Sequence, residues 1–224
     1  MNKNKSNLRN VVAIAMGSSI FLTILVLFIG CSRNSQDNEV IQQKQMFLTT
    51  SKLGDVNLFL VGEGDVVINW GKGEEKTKSI PTTDLGLHVS YTYSVKTPRT
   101  IIITGNNITG LICIDNELTS LNVSKNPALQ TLFADNNQLT SLDVRNNKEL
   151  IILNIPSNRF SGEKLSELFQ TLPKTEMRGR NIPIVQRYID ASDNPGSNKC
   201  NAKIAQLKGW TVFLGRPKTD MLFE

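Results

Sequence analysis

Apolar positions are distributed along this chain in several distinct patterns. Residues 11–29 are apolar except for Gly17, Ser18, Ser19 and Thr23, whereas 32–45 are polar with almost no apolar periodicity. Such a polar stretch cannot offset its ordering entropy by burial, so it predicts a flexible tether. Short β-rich runs follow at 46–50, 56–61, 66–70, 88–94 and 100–104, separated by glycine- and acid-rich breaks. They predict a small β-sandwich. The run Asp65-Val66-Val67-Ile68-Asn69-Trp70 enters Gly71-Lys72-Gly73 as a strand enters a tight turn.

Between residues 98 and 160 a period of 21 takes over: Ile108, Leu129 and Leu150 share it, as do Leu111, Leu132 and Leu153, then Cys113, Ala134 and Ile155, then Asn116, Asn137 and Asn158. The intervening halves repeat too, with Leu118, Leu121, Val123 and Asn126 mapping onto Leu139, Leu142, Val144 and Asn147. Asparagines at 106, 116, 126, 137, 147 and 158 therefore predict a chain that turns a corner twice per repeat. In such a coil the alternating apolar residues of a short strand point into a stacked core, and the Asn amide satisfies backbone groups left open at the corner. A helix would need a period of about 3.6, which these rows lack. Ile101, Ile103 and Asn106 already follow the half-repeat, so the last strand of the sandwich should run straight into the first coil.

After Asn158 the period breaks. Leu165, Leu168, Phe169 and Leu172 predict a helix over 163–172 that Pro173 ends. Ile189, Ala191 and Asn194 then restore the positions of Leu132, Ala134 and Asn137, and a second short helix over 197–207 should lead to a strand at 210–213. Atypical end units of this kind cover the open core of a stacked array.

Four stretches resemble three known families. The basic head 1–10, the apolar run and Gly30-Cys31 resemble the lipobox of bacterial lipoproteins, with Phe28 where that family has Leu. The resemblance implies removal of 1–30 and lipidation of Cys31, and the absence of a basic stop-transfer cluster separates it from an uncut membrane anchor. TSLNVSKNPALQTLFADNNQLTSLDVRNN (119–147) resembles the short 21-residue type of bacterial leucine-rich repeat found in surface lipoproteins, and DNPGSNKCNAKIAQLKGWTV (193–212) resembles the C-terminal cap of the same family. The Trp70-Gly-x-Gly turn and Tyr91-x-Tyr93 resemble PKD-like, immunoglobulin-type modules, with Lys72 where that family has Asp. The fold implied is mainly β, a small Ig-like β-sandwich continuing into a leucine-rich repeat solenoid with a helix-containing cap. Its parts are a signal peptide (1–30), a tether (31–45), a PKD-like sandwich (46–105), leucine-rich repeats (106–161), and a cap and tail (162–224). Cys113 takes an inward position in that solenoid, where an apolar setting raises its thiol pKa and makes it a buried hydrophobe rather than a reactive group.

Composition removes several classes of function. Two hundred and twenty-four residues at 39% hydrophobic allow one or two small domains and exclude a large multidomain enzyme. Lys plus Arg is 25 against 20 acids, but Lys3, Lys5 and Arg9 precede the apolar run, so the excess mostly reflects the targeting segment and nucleic acid is not expected as a partner. One histidine and three scattered cysteines predict neither a metal cluster nor a disulfide framework, and no cofactor is expected. His88 lies in an alternating strand, no nucleophile elbow is present, and Gly62-Glu63-Gly64 lacks the further glycine and helix of a phosphate loop. The acid pairs Glu74-Glu75 and Asp190/Asp193 lack an apolar pocket that would split their pKa values. No catalytic residue is assigned, and the chain is expected not to be an enzyme.

A binding surface remains. The side chains alternating with the inward rows put Ile112, Ile114, Phe133, Asp135, Asn154, Tyr188 and Asp190 on one face, while Ser120, Asn122, Ser124, Ser141, Asp143 and Arg145 form an opposite, small and polar row. The apolar face is the candidate site for an unknown protein or peptide, unless Ile112 and Ile114 pack under a neighbouring element. The runner-up is a carbohydrate-binding or scaffold subunit of an envelope complex that uses Trp70, Tyr91 and Tyr93. Either form is expected in a bacterial cell envelope, at the outer membrane or cell surface, held to the membrane by its lipid.

Overall fold

The computed structural model describes residues 44–81, 86–178, 182–183 and 185–215. The apolar run 11–29, Cys31 and nearly all of the expected tether lie outside the described residues, as does the tail from 216. The chain divides into two units, Met1–Val40 and Ile41–Glu224, of which only the second contains described residues. That unit is mainly β and built on one large mixed sheet. Among the described residues no helix is long and apolar enough to cross a membrane.

The first strand, β1 (Gln45–Thr50), buries Met46, Leu48 and Thr50 on alternate positions. The second, β2 (Gly54–Asn69), joins the two runs expected at 56–61 and 66–70 into one strand. The break expected between them is a bulge, where pairing to the neighbouring strand shifts at Val61/Gly62 and again at Glu63/Val66. Gly62 is required there: its φ is +145°, and a Cβ would lie 2.1 Å from the carbonyl oxygen of Asn107. β3 (Glu75–Ile80) was not expected, because EKTKSI buries only Ile80 and shows no alternation. Backbone pairing with β2 across the Gly71–Gly73 turn, rather than burial, makes it a strand. β4 (Leu87–Tyr93) lies antiparallel to the first half of β2.

β5 (Arg99–Ile112) joins two regimes. Its first part pairs antiparallel with β1 and β2, while Gly110, Leu111 and Ile112 pair in parallel with Thr131, Leu132 and Phe133. The expected corner at Asn106 is therefore a correction: Asn106 is an exposed residue within the continuous strand β5, between Gly105 and Asn107, which pair with Val66 and Glu63 on either side of the β2 bulge. β6 (Leu118–Asn122) pairs antiparallel with β1.

A parallel ladder then runs from β5 through β7 (Thr131–Phe133), β8 (Ile152–Asn154), β11 (Arg187–Asp190) and β12 (Trp210–Phe213). Between β8 and β11 lie α1 (Gly162–Thr171) and the short pair β9 (Met177–Arg178) and β10 (Ile182–Pro183). Ser161 caps α1, its Oγ accepting from the Lys164 N–H at 3.2 Å, and Leu165, Leu168 and Phe169 are buried. The second helix, α2 (Lys203–Gln206), is shorter than the expected 197–207. The Ser197 hydroxyl accepts from the Asn194 N–H and donates to Ala191 O, which holds the start of that stretch in a turn. Trp210 closes the end of the core, its indole N–H donating to Pro173 O at 2.7 Å.

Every row that recurs at 21 residues is buried, from Ile108, Leu129 and Leu150 to Cys113, Ala134 and Ile155. The rows join the core of β1, β2 and β4 in one continuous apolar cluster from Met46 to Trp210.

Candidate functional site

The register of the parallel ladder decides which side chains share a face. Ile112, Phe133, Asn154, Asp190 and Phe213 follow one another across it, and Gly110, Thr131, Ile152, Tyr188 and Thr211 form the adjacent row. Leu111, Leu132, Leu153 and Ile189, between those rows, are fully buried on the other side. Ile114 and Asp135 lie two residues beyond Ile112 and Phe133, just past the ends of β5 and β7, where the backbone pairing continues from Cys113 N to Phe133 O and from Asp115 N to Asp135 O. The seven candidate residues thus form one surface: Tyr188 is 38% exposed, and the other six are half-buried by their neighbours. Phe213 was missed, although it is 52% exposed and pairs with Asp190. Its signal was the alternation Thr211-Val212-Phe213, with Val212 inward.

Corner asparagines hold these strands in register. Asn137 Oδ1 accepts from the N–H groups of Asn116 (3.1 Å) and Leu118 (2.9 Å), and its Nδ2 donates to the carbonyls of Cys113, Ala134 and Asp135. Asn158 and Asn194 repeat the arrangement one and two strands along. Asn116 turns the same amide onto β2, accepting from the N–H of Asn57 and donating to its carbonyl. The residue before each of these asparagines, namely Asp115, Asn136, Ser157 and Asp193, has φ between 52° and 56°. Asp and Asn tolerate this left-handed corner better than most residues, a repeat that apolar patterning does not reveal.

Burial, and then the nearby Asp190 and Asp115, push the Asp135 carboxyl above its ordinary range, and its Oδ1 has no hydrogen-bond partner. Asn154 Oδ1 on the same face is likewise unpartnered. Burial raises the Cys113 thiol well above its usual pKa, and its Sγ donates to Phe133 O. Cys113 and Cys200 are both free thiols. Among the described residues no three His, Cys, Asp or Glu side chains converge as metal ligands.

No protein-family model matches the chain, and neither does any curated protein.

Trp70, Tyr91 and Tyr93 do not form the glycan platform that the runner-up reading requires. Trp70 is 3% and Tyr93 1% exposed. Tyr91 stacks on Trp70 with ring centroids 5.6 Å apart, the Tyr93 hydroxyl donates to Trp70 O at 2.6 Å, and burial pushes its pKa up to about 12. The guanidinium of Arg99 covers the Tyr93 ring at 3.7 Å and donates to the carbonyls of Lys52 and Val95. These rings pack the core and pin the loop before β5. His88 is an exposed strand residue, its Nε2 3.2 Å from Asn57 Oδ1.

Proposed function

We propose that this chain is a non-enzymatic lipoprotein of a bacterial cell envelope whose repeat region recognises a protein or peptide partner. In this reading 1–30 is a signal peptide, Cys31 carries the lipid, 46–105 is a PKD-like, Ig-like sandwich, 106–161 are leucine-rich repeats, and 162–224 is their cap and tail. One observation carries the recognition: the parallel register lines up partly exposed Ile112, Phe133, Ile152, Tyr188 and Phe213 beside Asp135 and Asp190. A contiguous apolar patch bordered by polar groups is the usual composition of an interaction surface. Asp135, whose charge is disfavoured by burial and by neighbouring acids, favours a partner that brings a basic group to this face.

A photo-reactive residue in place of Tyr188 should give a discrete protein adduct in the native envelope, and the same residue in place of His88 should not. Adducts from His88 with none from Tyr188 would move recognition to the sandwich. The anchoring is tested separately: Cys31→Ser should leave the precursor unprocessed at this site and remove lipid labelling, and persistent labelling contradicts the assignment.

A further inference from the structure

We infer that a basic groove on the second halves of the coils, away from the apolar strip, binds an acidic peptide segment. At one end is a cavity of about 690 Å³ lined by Arg145, Lys148, Lys174, Arg187 and Lys208. Only two acids, Glu149 and Glu176, line it among the described residues. Arg187 stands at the start of β11 and donates from Nη2 to Lys148 O at 3.2 Å, while its Nε and Nη1 are buried without partners. Lys208 spans to α1, its ammonium donating to the carbonyls of Gln170 and Leu172 where the helix ends. Burial, and for Lys208 the nearby Lys148, push both cations below their ordinary pKa. The site holds more positive charge than its own acids balance, and an anionic ligand would relieve that.

The groove is longer than a small anion needs. Cavities of about 600 and 310 Å³ continue it, and Arg145 lines all three. Their walls also carry Asp143, which pairs with Arg145, and Glu167, so the excess of positive charge is confined to the first cavity; beyond it Ser120, Asn122, Ser141, Gln170 and Thr171 offer hydroxyls and amides that suit the N–H and C=O groups of an extended backbone. No aromatic ring lines any of the three cavities, so the stacking surface that a sugar ring uses is lacking among the described residues. Acidic motifs recognised by clustered cations are a common mode of peptide binding. This inference is independent of the apolar strip.

The test is fluorescence anisotropy of the full-length chain with labelled decapeptides of alternating Ser and Glu, Gln or Lys. The Glu peptide should bind at least ~10-fold more tightly than the Gln peptide, the Lys peptide should not bind, and added salt should weaken the complex. Lys148→Glu with Lys174→Glu, both at exposed positions, should weaken the Glu peptide at least ~10-fold without shifting the melting temperature, whereas Phe133→Asp should not change it. Equal affinity for the Glu and Gln peptides, or affinity unchanged by the double reversal, overturns the proposal. Tighter binding of an oligogalacturonate than of the Glu peptide overturns the peptide assignment.

Discussion

Asn137 makes five hydrogen bonds across one corner, and every group it serves is a backbone N–H or C=O that has turned away from the ladder. Asn126 occupies the corresponding corner of the other half-coil and is equally buried, yet neither atom of its amide has a partner. The two should therefore separate in a thermal or denaturant titration. Asn137→Ala leaves several buried groups unpaired and should cost at least about 3 kcal/mol. Asn126→Ala removes an amide that is already unsatisfied and should cost about 1 kcal/mol or less. Equal losses would mean that Asn126 is bonded in solution. The spacing of the asparagines made both corners legible, but spacing carries no information about which amide finds partners. It also assigned a corner to Asn106, where β5 instead runs on as one strand past the β2 bulge.

At the scale of elements, β5 is the strand on which the two regimes depend, and Gly110 marks the crossing. Its neighbours are Val61 of β2 on one side and Thr131 of β7 on the other. A Cβ at Gly110 would lie 2.7 Å from Thr131 Oγ1 and 2.9 Å from Val61 Cβ. Gly110→Ala should therefore lower stability by about 1–3 kcal/mol through overpacking, read as a drop in melting temperature. An unchanged melting temperature would show that the two strands do not close on this residue. Elements that bury an apolar face were legible in advance: β1, β4, α1 and the parallel strands follow their alternation or helical spacing. Elements that arise from pairing alone were not. β3 buries one residue, and the continuity of β2 through Gly62-Glu63-Gly64 depends on a bulge fitted against Asn107, a long-range contact that local composition reads as a turn.

For the whole molecule, a single apolar cluster extends from Met46 to Trp210, and the residues alternating with it along the parallel strands make the surface proposed for recognition. Five of the seven candidate residues could be placed on one face from the period, and Tyr188 and Asp190 from the strand pattern that Ile189, Ala191 and Asn194 restore, because a shared register brings them together. Phe213 and the basic groove escaped that reading, since the chain after Asn158 does not keep the period and the cations come from four places along it: Arg145 with Lys148, Lys174, Arg187 and Lys208. The alternation supplies the most direct test of the account. Leu132 is fully buried, so Leu132→Ala should cost about 2–5 kcal/mol, whereas Phe133→Asp on the half-buried outer face should cost about 1 kcal/mol. The measurement is photo-crosslinking from position 188 in the Phe133→Asp background, with the melting temperature recorded on the same protein. The account predicts a folded protein whose adduct is lost, because a charged carboxylate replaces the apolar ring at the centre of the patch. A folded Phe133→Asp protein that still gives the adduct would contradict the recognition face, and one that unfolds would place Phe133 in the core.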